Sequence, residues 1–413
     1  MKVLALFLCW LPLATCCQVN GPAVNDNRSD TSWTYSALWG KNGELWNKQR
    51  LPDFTHAGYG KNRVPLPNFP VRVDITRYGG KGDGITDNTK ALRAAIQHCG
   101  ARGTVYIPAG NYHFKDTIVI RKSGVCIRGA GIGATTLFFE KGLEELYPNY
   151  NVEYPKQSNW SWSGAMILFD GPVSDVGIEK LSIRFPDNPW AGHTYDEKGY
   201  NAIGFSSGAH DAWARDIQLT GCDMGIWIDS NAHHITARNW VLDFESIRGA
   251  QKVSGHHGIN ITGSYNLLEN FELKGKYQHD LSVEKDEASY NVFRNGKGKD
   301  LAIDHHNHVQ TYNLFTNLDA GLGTRLYFSG GISTPRGICF KETFWNIRAV
   351  NNMNYCDQHN DATKQSADNN CVGIKTKRTS EMTDAHNNWF ETIQPDRLFP
   401  QDLYQAQMKY IGY

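Results

Sequence analysis

Ser264-Tyr265-Asn266-Leu267-Leu268-Glu269-Asn270, Ser289-Tyr290-Asn291-Val292-Phe293-Arg294-Asn295 and Thr311-Tyr312-Asn313-Leu314-Phe315-Thr316-Asn317 have one form and recur at steps of 25 and 22 residues. Each is preceded by a second strand-like piece: Gly258-Ile259-Asn260-Ile261, Asp280-Leu281-Ser282-Val283 and Asp300-Leu301-Ala302-Ile303. Two strand-like pieces per repeat at this period describe a solenoid, in which each coil buries its apolar residues against its neighbours.

The repeat extends outward in both directions. Ala202-Ile203-Gly204-Phe205 and Gly225-Ile226-Trp227-Ile228 precede it, and Arg325-Leu326-Tyr327-Phe328 follows. The second and fourth residues are apolar in all six pieces, which points them inward. A second column reads Lys180, Asp216, Asn239, Asn270, Asn295, Asn317, Asn346. Five successive Asn at one turn predict a ladder in which each side chain bonds the next coil, at a rise of about 4.8 Å. Those Asn are read as structural.

Upstream, Val73-Asp74-Ile75-Thr76-Arg77-Tyr78-Gly79-Gly80-Lys81-Gly82-Asp83-Gly84-Ile85-Thr86-Asp87-Asn88-Thr89 enters a Gly-rich turn. Thr86 or Asp87 then caps a helix over 88–98, with Ala91, Leu92, Ala95 and Ile96 as its apolar stripe. Val105-Tyr106-Ile107-Pro108-Ala109-Gly110-Asn111-Tyr112 follows as strand and turn. Over about residues 71–135 this pattern resembles the pectate-lyase-like superfamily. The resemblance implies a right-handed parallel β-helix and action on acidic or plant-type polysaccharides. Neither Gly-rich piece fits a nucleotide loop, since one lacks the Lys-Ser/Thr ending and the other is not followed by a helix. Gly255-His256-His257-Gly258 resembles the Gly-His-Gly of polygalacturonases, but the companion Asp-Asp and Arg-Ile-Lys are missing.

The expected fold is therefore all-β: a right-handed, single-stranded parallel β-helix over 71–395 with an N-terminal capping helix. An extended arm over 18–70, with Trp33, Trp39, Trp46 and Tyr59 as anchors, lies over it, and a tail over 396–413 caps the open end of the core. Residues 1–17 read as a secretory signal peptide, with Lys2 before an apolar run to Leu13. Secretion to an extracellular, oxidising compartment follows. Six Cys then remain, with Cys356–Cys371 and Cys99–Cys126 as the bridges to expect. Asn27, Asn159 and Asn260 are sequons. The 413 residues balance to zero net charge with His neutral, which argues against nucleic-acid or anionic-membrane partners. The partner expected is a polysaccharide, and the chain a monomer.

The outward residues define a candidate site. In the predicted alignment Asp280, Asp300 and Arg325 form one row, flanked by His257, His279 and Lys299. Trp227, Asn260 and Tyr327 occupy the next column, and Glu284 and Asp304 the one beyond, with His305 and His306 adjacent. Trp190, on a long loop, joins Trp227 as a flat surface for a sugar ring. In a lyase, Arg325 or Lys299 would neutralise a uronate carboxylate, His257 or His279 would act as base and Tyr327 as acid. In a hydrolase, two of the carboxylates would divide acid and base work. Carboxylates of this kind also hold Ca²⁺, whereas no tight ligand spacing points to a transition metal. Polysaccharide cleavage by a lyase is the reading favoured, with a glycoside hydrolase and a non-catalytic glycan-binding solenoid as alternatives.

Overall fold

A computed structural model describes residues 32–148, 164–187, 198–244, 253–306, 309–327, 338–353, 367–376 and 386–413. The expected signal segment, Trp190, Cys356, Asn27 and Asn159 lie outside them.

The chain winds as a right-handed parallel β-helix, the winding that parallel crossovers take. One sheet runs from Val71–Asp74 through Val176–Arg184, His210–Thr220, His233–Asp243 and Leu267–Leu273 to Trp389–Glu391. The second stacks Ile118–Ile120, Ile167–Asp170, Asn201–Ser206, Met224–Ile228, His257–Ile261, His279–Glu284 and Ile303–His306. The helix Thr89–His98 packs against the first strand of each sheet, and its Ala91, Leu92, Ala95 and Ile96 join the core between them. It covers the N-terminal end of the barrel.

The Asn column is a corner. Lys180, Asp216, Asn239, Asn270, Asn295, Asn317 and Asn346 all have φ between 52° and 56°, so each coil turns sharply through one left-handed residue. Asn is among the few side chains that tolerate this conformation. Its amide also bridges coils: Asn239 donates to Asp216 (2.8 Å), Asn270 to Asn239 (3.1 Å), Asn295 to Asn270 (3.3 Å) and Asn317 to Asn295 (2.7 Å). A second ladder uses the other Asn of each phrase. Asn291 Oδ1 accepts the backbone N–H and the amide of Asn266, and Asn313 Oδ1 does the same for Asn291. Glu342 takes the next rung, accepting both donors of Asn313 at 2.9 Å. Beside it Tyr265, Tyr290 and Tyr312 stack at 5.0 and 5.1 Å.

The arm lies on the outer face of the long sheet. Leu38, Trp39, Leu51 and Phe54 pack with Leu267, Val292, Leu314, Trp345 and Val372, and Leu403, Tyr404 and Met408 of the helix Leu403–Tyr410 complete that cluster. The C-terminal tail was expected at the open end of the core. It instead clamps the arm: Tyr404 donates to Ala57 O (2.9 Å), Gln407 bonds Phe54 N and Pro52 O, and Asp402 pairs with Arg294. Its apolar face matches this outer cluster rather than the barrel interior. The Cys99–Cys126 bridge does not form, and both are free thiols. Cys99 faces the interior beneath the capping helix, whereas Cys126 faces outward against Trp213, Tyr59 and Phe69.

Candidate active site

The second sheet carries the site. Ile203, Ile226, Ile259, Leu281 and Ile303 are in register and line the core. The neighbouring column, Gly204, Trp227, Asn260, Ser282 and Asp304, therefore faces out. Gly204 is required beneath Trp227, because a Cβ there would sit 3.1 Å from the indole and 2.8 Å from Leu168.

This register corrects the predicted alignment in the fifth coil, where Leu281 pairs with Ile303 rather than Leu301. Asp304 moves in beside Ser282, and His306 comes level with Glu284. His305 turns inward, its Nδ1 3.4 Å from Cys339 Sγ and its ring against Phe315 and Phe344. Tyr327 also belongs to the core, edge-on to Phe344 at 5.0 Å, and so does not stand on the face.

The predicted row of Asp280, Asp300 and Arg325 is a staple between coils. Gly258, in line with Asp280, points at the core, since its Cβ would meet Leu273 at 2.9 Å. Asp280 is buried and accepts the N–H groups of Tyr277 and Ala302, both at 2.8 Å, together with Arg325 Nη2. Arg325 also donates to the carbonyls of Asp300 and Gln278. Asp300 accepts Thr324 N and Oγ1 and pairs with Lys276 at 3.4 Å. Six donors, two of them cationic, leave these carboxylates little capacity for a substrate. Lys299 is exposed at the turn before Asp300, away from the outward column.

What does gather on the face is a histidine cluster. Asp304 Oδ2 lies 3.1 Å from His279 Nδ1 and 3.0 Å from His306 Nδ1, and accepts Ser282 Oγ at 3.2 Å. Ser282 Oγ is in turn 2.9 Å from His257 Nδ1. Asn260 donates to Glu284 Oε1 at 2.8 Å, which places its side-chain nitrogen inside the cluster, with no room for a glycan. His257 and His279 stack at 5.0 Å. Asp304, His257, His279 and Asn260 are essentially inaccessible; Glu284 is part-exposed beside exposed Lys285, so the cluster meets solvent there.

Burial sets the charge state. Desolvation pushes the Glu284 carboxyl up to about 7, against the pull of His306 and Asn260. Burial works against a charged His306, but Asp304 and Glu284 outweigh it and hold the imidazole at about 9. At neutral pH the face thus carries an imidazolium beside a carboxyl poised to gain or lose a proton. The oxygen cage that Ca²⁺ prefers is not assembled among the described residues: Asp280 and Asp300 are tied to N–H donors, and Asp304 faces imidazoles. Sequence reasoning placed His257, His279, Glu284, Asp304, Asn260 and Trp227 in the site, named His306 only as a neighbour of the outward column, and gave Ser282 no role. Residues two apart share a strand face, and that rule groups His306 with Asp304.

Residues 72–194 match the family model described as rhamnogalacturonase A/epimerase, pectate lyase-like, so the resemblance to the pectate-lyase-like superfamily holds there. Alginate lyase 7 of Azotobacter vinelandii is 41% identical over 214 residues, covering 48% of this chain and 24% of that protein. Mannuronan C5-epimerase AlgE1 of the same organism is 26% identical over 239 residues, covering 48% of this chain and 17% of its own. The chain thus spans a quarter or less of the length of these two relatives. Endo-xylogalacturonan hydrolase from Aspergillus tubingensis has the same fold, with a TM-score of 0.50, 12% identity, and coverage of 74% of this chain and 83% of that one. Among the described residues no helix is long and apolar enough to cross a membrane.

Proposed function

We propose that the chain is a secreted enzyme that removes the proton beside the carboxylate of a uronate in an extracellular polysaccharide, with β-elimination of the glycosidic oxygen completing cleavage. The observation that carries this reading is the gathering of His257, His279 and His306 around Asp304, next to a Glu284 that titrates near neutrality. The reaction needs a positive charge for the carboxylate, a base, and an acid for the leaving oxygen. The His279–Asp304–His306 group supplies the charge, Glu284 at the solvent edge the acid, and His257 the base once the substrate parts the ring stack that buries it, while Trp227 flanks the sugar. A two-carboxylate hydrolase needs a free pair about 5–5.5 Å or about 6.5–9.5 Å apart, and Asp280 and Asp300 are committed to backbone donors. The printed names of the alginate lyase and mannuronan epimerase relatives support a uronate polymer, since elimination and C5 inversion share the proton-removal step.

The test is incubation with alginate, polygalacturonate and rhamnogalacturonan, following absorbance of the unsaturated product, new reducing ends, and C5 inversion by NMR. Unsaturated product together with reducing ends is expected. His257→Ala and Glu284→Gln should each lower the rate about 100-fold or more. Reducing ends without unsaturated product, or near-normal rates in both variants, would overturn the assignment.

A further inference from the structure

We propose that His279, Asp304 and His306 bind a divalent transition-metal ion of the Zn²⁺ class, deepening the reading above by naming what supplies the positive charge. Each of the three offers a ligand atom within 4.8 Å of the other two, and all three are buried. Two sides of that triangle are already short, with His279 Nδ1 and His306 Nδ1 at 3.1 and 3.0 Å from one Asp304 oxygen. Tetrahedral ligands at about 2.0–2.1 Å from zinc stand roughly 3.3 Å apart, so small side-chain rotations suffice. His257, Glu284 and Asp304 form a second set within 4.8 Å, which puts further donors beside the same carboxylate.

The donor set selects the ion class. Two imidazoles and one carboxylate suit Zn²⁺ and its first-row neighbours, whereas Ca²⁺ and Mg²⁺ favour oxygen cages. Supporting contacts are in place: Ser282 Oγ donates to Asp304 and also holds His257, fixing the carboxylate in the way ligands of bound metals are usually fixed. The three ligands come from two coils, His279 from one and the other two from the next. For that reason no compact motif announces them along the chain.

The experiment uses the full chain, stripped with a chelator and titrated with Zn²⁺ alone, with metal content after dialysis and the melting temperature as readouts. One tightly held equivalent and a raised melting temperature are expected. His306→Ala and Asp304→Asn, checked by circular dichroism for a native β spectrum, should each weaken Zn²⁺ affinity at least tenfold. His279→Ala provides a third measurement should either fail to fold. No zinc retained by the wild type, or full retention by the folded variants, overturns the metal site. Elimination activity that persists in chelator would overturn it while leaving the proposed reaction standing, and zinc bound without any such activity would do the reverse.

Discussion

Asp304→Asn is the most informative perturbation of the site. In metal-free protein, His306 is held at about 9, with burial opposing and Asp304 and Glu284 sustaining its charge. Removing the nearer charge leaves burial dominant, and His306 should then titrate below about 6.5, the ordinary value. The change from about 9 to 6.5 corresponds to roughly 3 kcal/mol of differential interaction. The sign follows from linkage. A histidine whose folded pKa is raised binds its proton more tightly in the native state. Its contribution is fully present below pH 6.5 and is lost as pH rises through about 9. Wild-type protein should therefore lose up to roughly 3 kcal/mol from this group between those limits, and the variant should not. NMR titration of the imidazole resonances, with urea midpoints at pH 6 and pH 10, reads both effects. A His306 that still titrates above about 8 in Asp304→Asn would refute the electrostatic account of the cluster.

Glu342 should behave in a related way inside the ladder. Burial pushes its carboxyl up to about 8, so its stabilisation is greatest below pH 4.5 and declines as pH rises to 8. Glu342→Gln should accordingly relieve up to roughly 5 kcal/mol at pH 9, less the one Asn313 hydrogen bond that its amide nitrogen cannot accept, so urea unfolding should show the variant gaining on the wild type between pH 4 and pH 9. Asn291→Ala strands the buried N–H of Asn266 and removes four hydrogen bonds, a loss of roughly 3–5 kcal/mol; faster hydrogen exchange at that single amide is its signature. Arg325→Met leaves Asp280 buried and unpaired, which should cost about 3–5 kcal/mol in thermal or urea unfolding. If instead its main effect were on substrate affinity with stability intact, the staple reading would fail. Rate against pH should fall on the alkaline side near 7 as Glu284 loses its proton, and Glu284→Gln should abolish that limb.

The parts of the fold that were legible in sequence are those fixed by alternation and recurrence. Ile203, Ile226, Ile259 and Leu281 face the core as alternation requires, and the Asn column forms the ladder its spacing implies. That the column must be left-handed could not be seen from spacing, although it explains the choice of Asn better than hydrogen bonding alone. The fifth coil misled for a definite reason. Leu301 and Ile303 are both apolar, so a slip of two residues preserves the alternation, whereas a slip of one would have broken it. That slip moved Asp304 from the level of Glu284 to the level of Ser282 without changing its face; His305 belonged inward, and His306 outward, under either register. Asp280 misled differently: an acidic residue at a strand start reads as solvated, but here the N–H groups of Tyr277 and Ala302 needed an acceptor.

Thr34–Tyr35 pairs in parallel with Leu398–Phe399, and Trp33 packs on Phe399 at 5.6 Å. An open stack of coils frays, because a terminal rung has only one neighbour and can peel away before the middle loosens. Joining the first and last segments across the outside turns that line into a closed circuit. Neither end can leave without also uncovering the Leu267–Val372 column, so local fraying is coupled to a much larger opening. Unfolding should therefore approach a single transition, and cutting the arm near residue 66 should restore the stepwise melting of an ordinary repeat array.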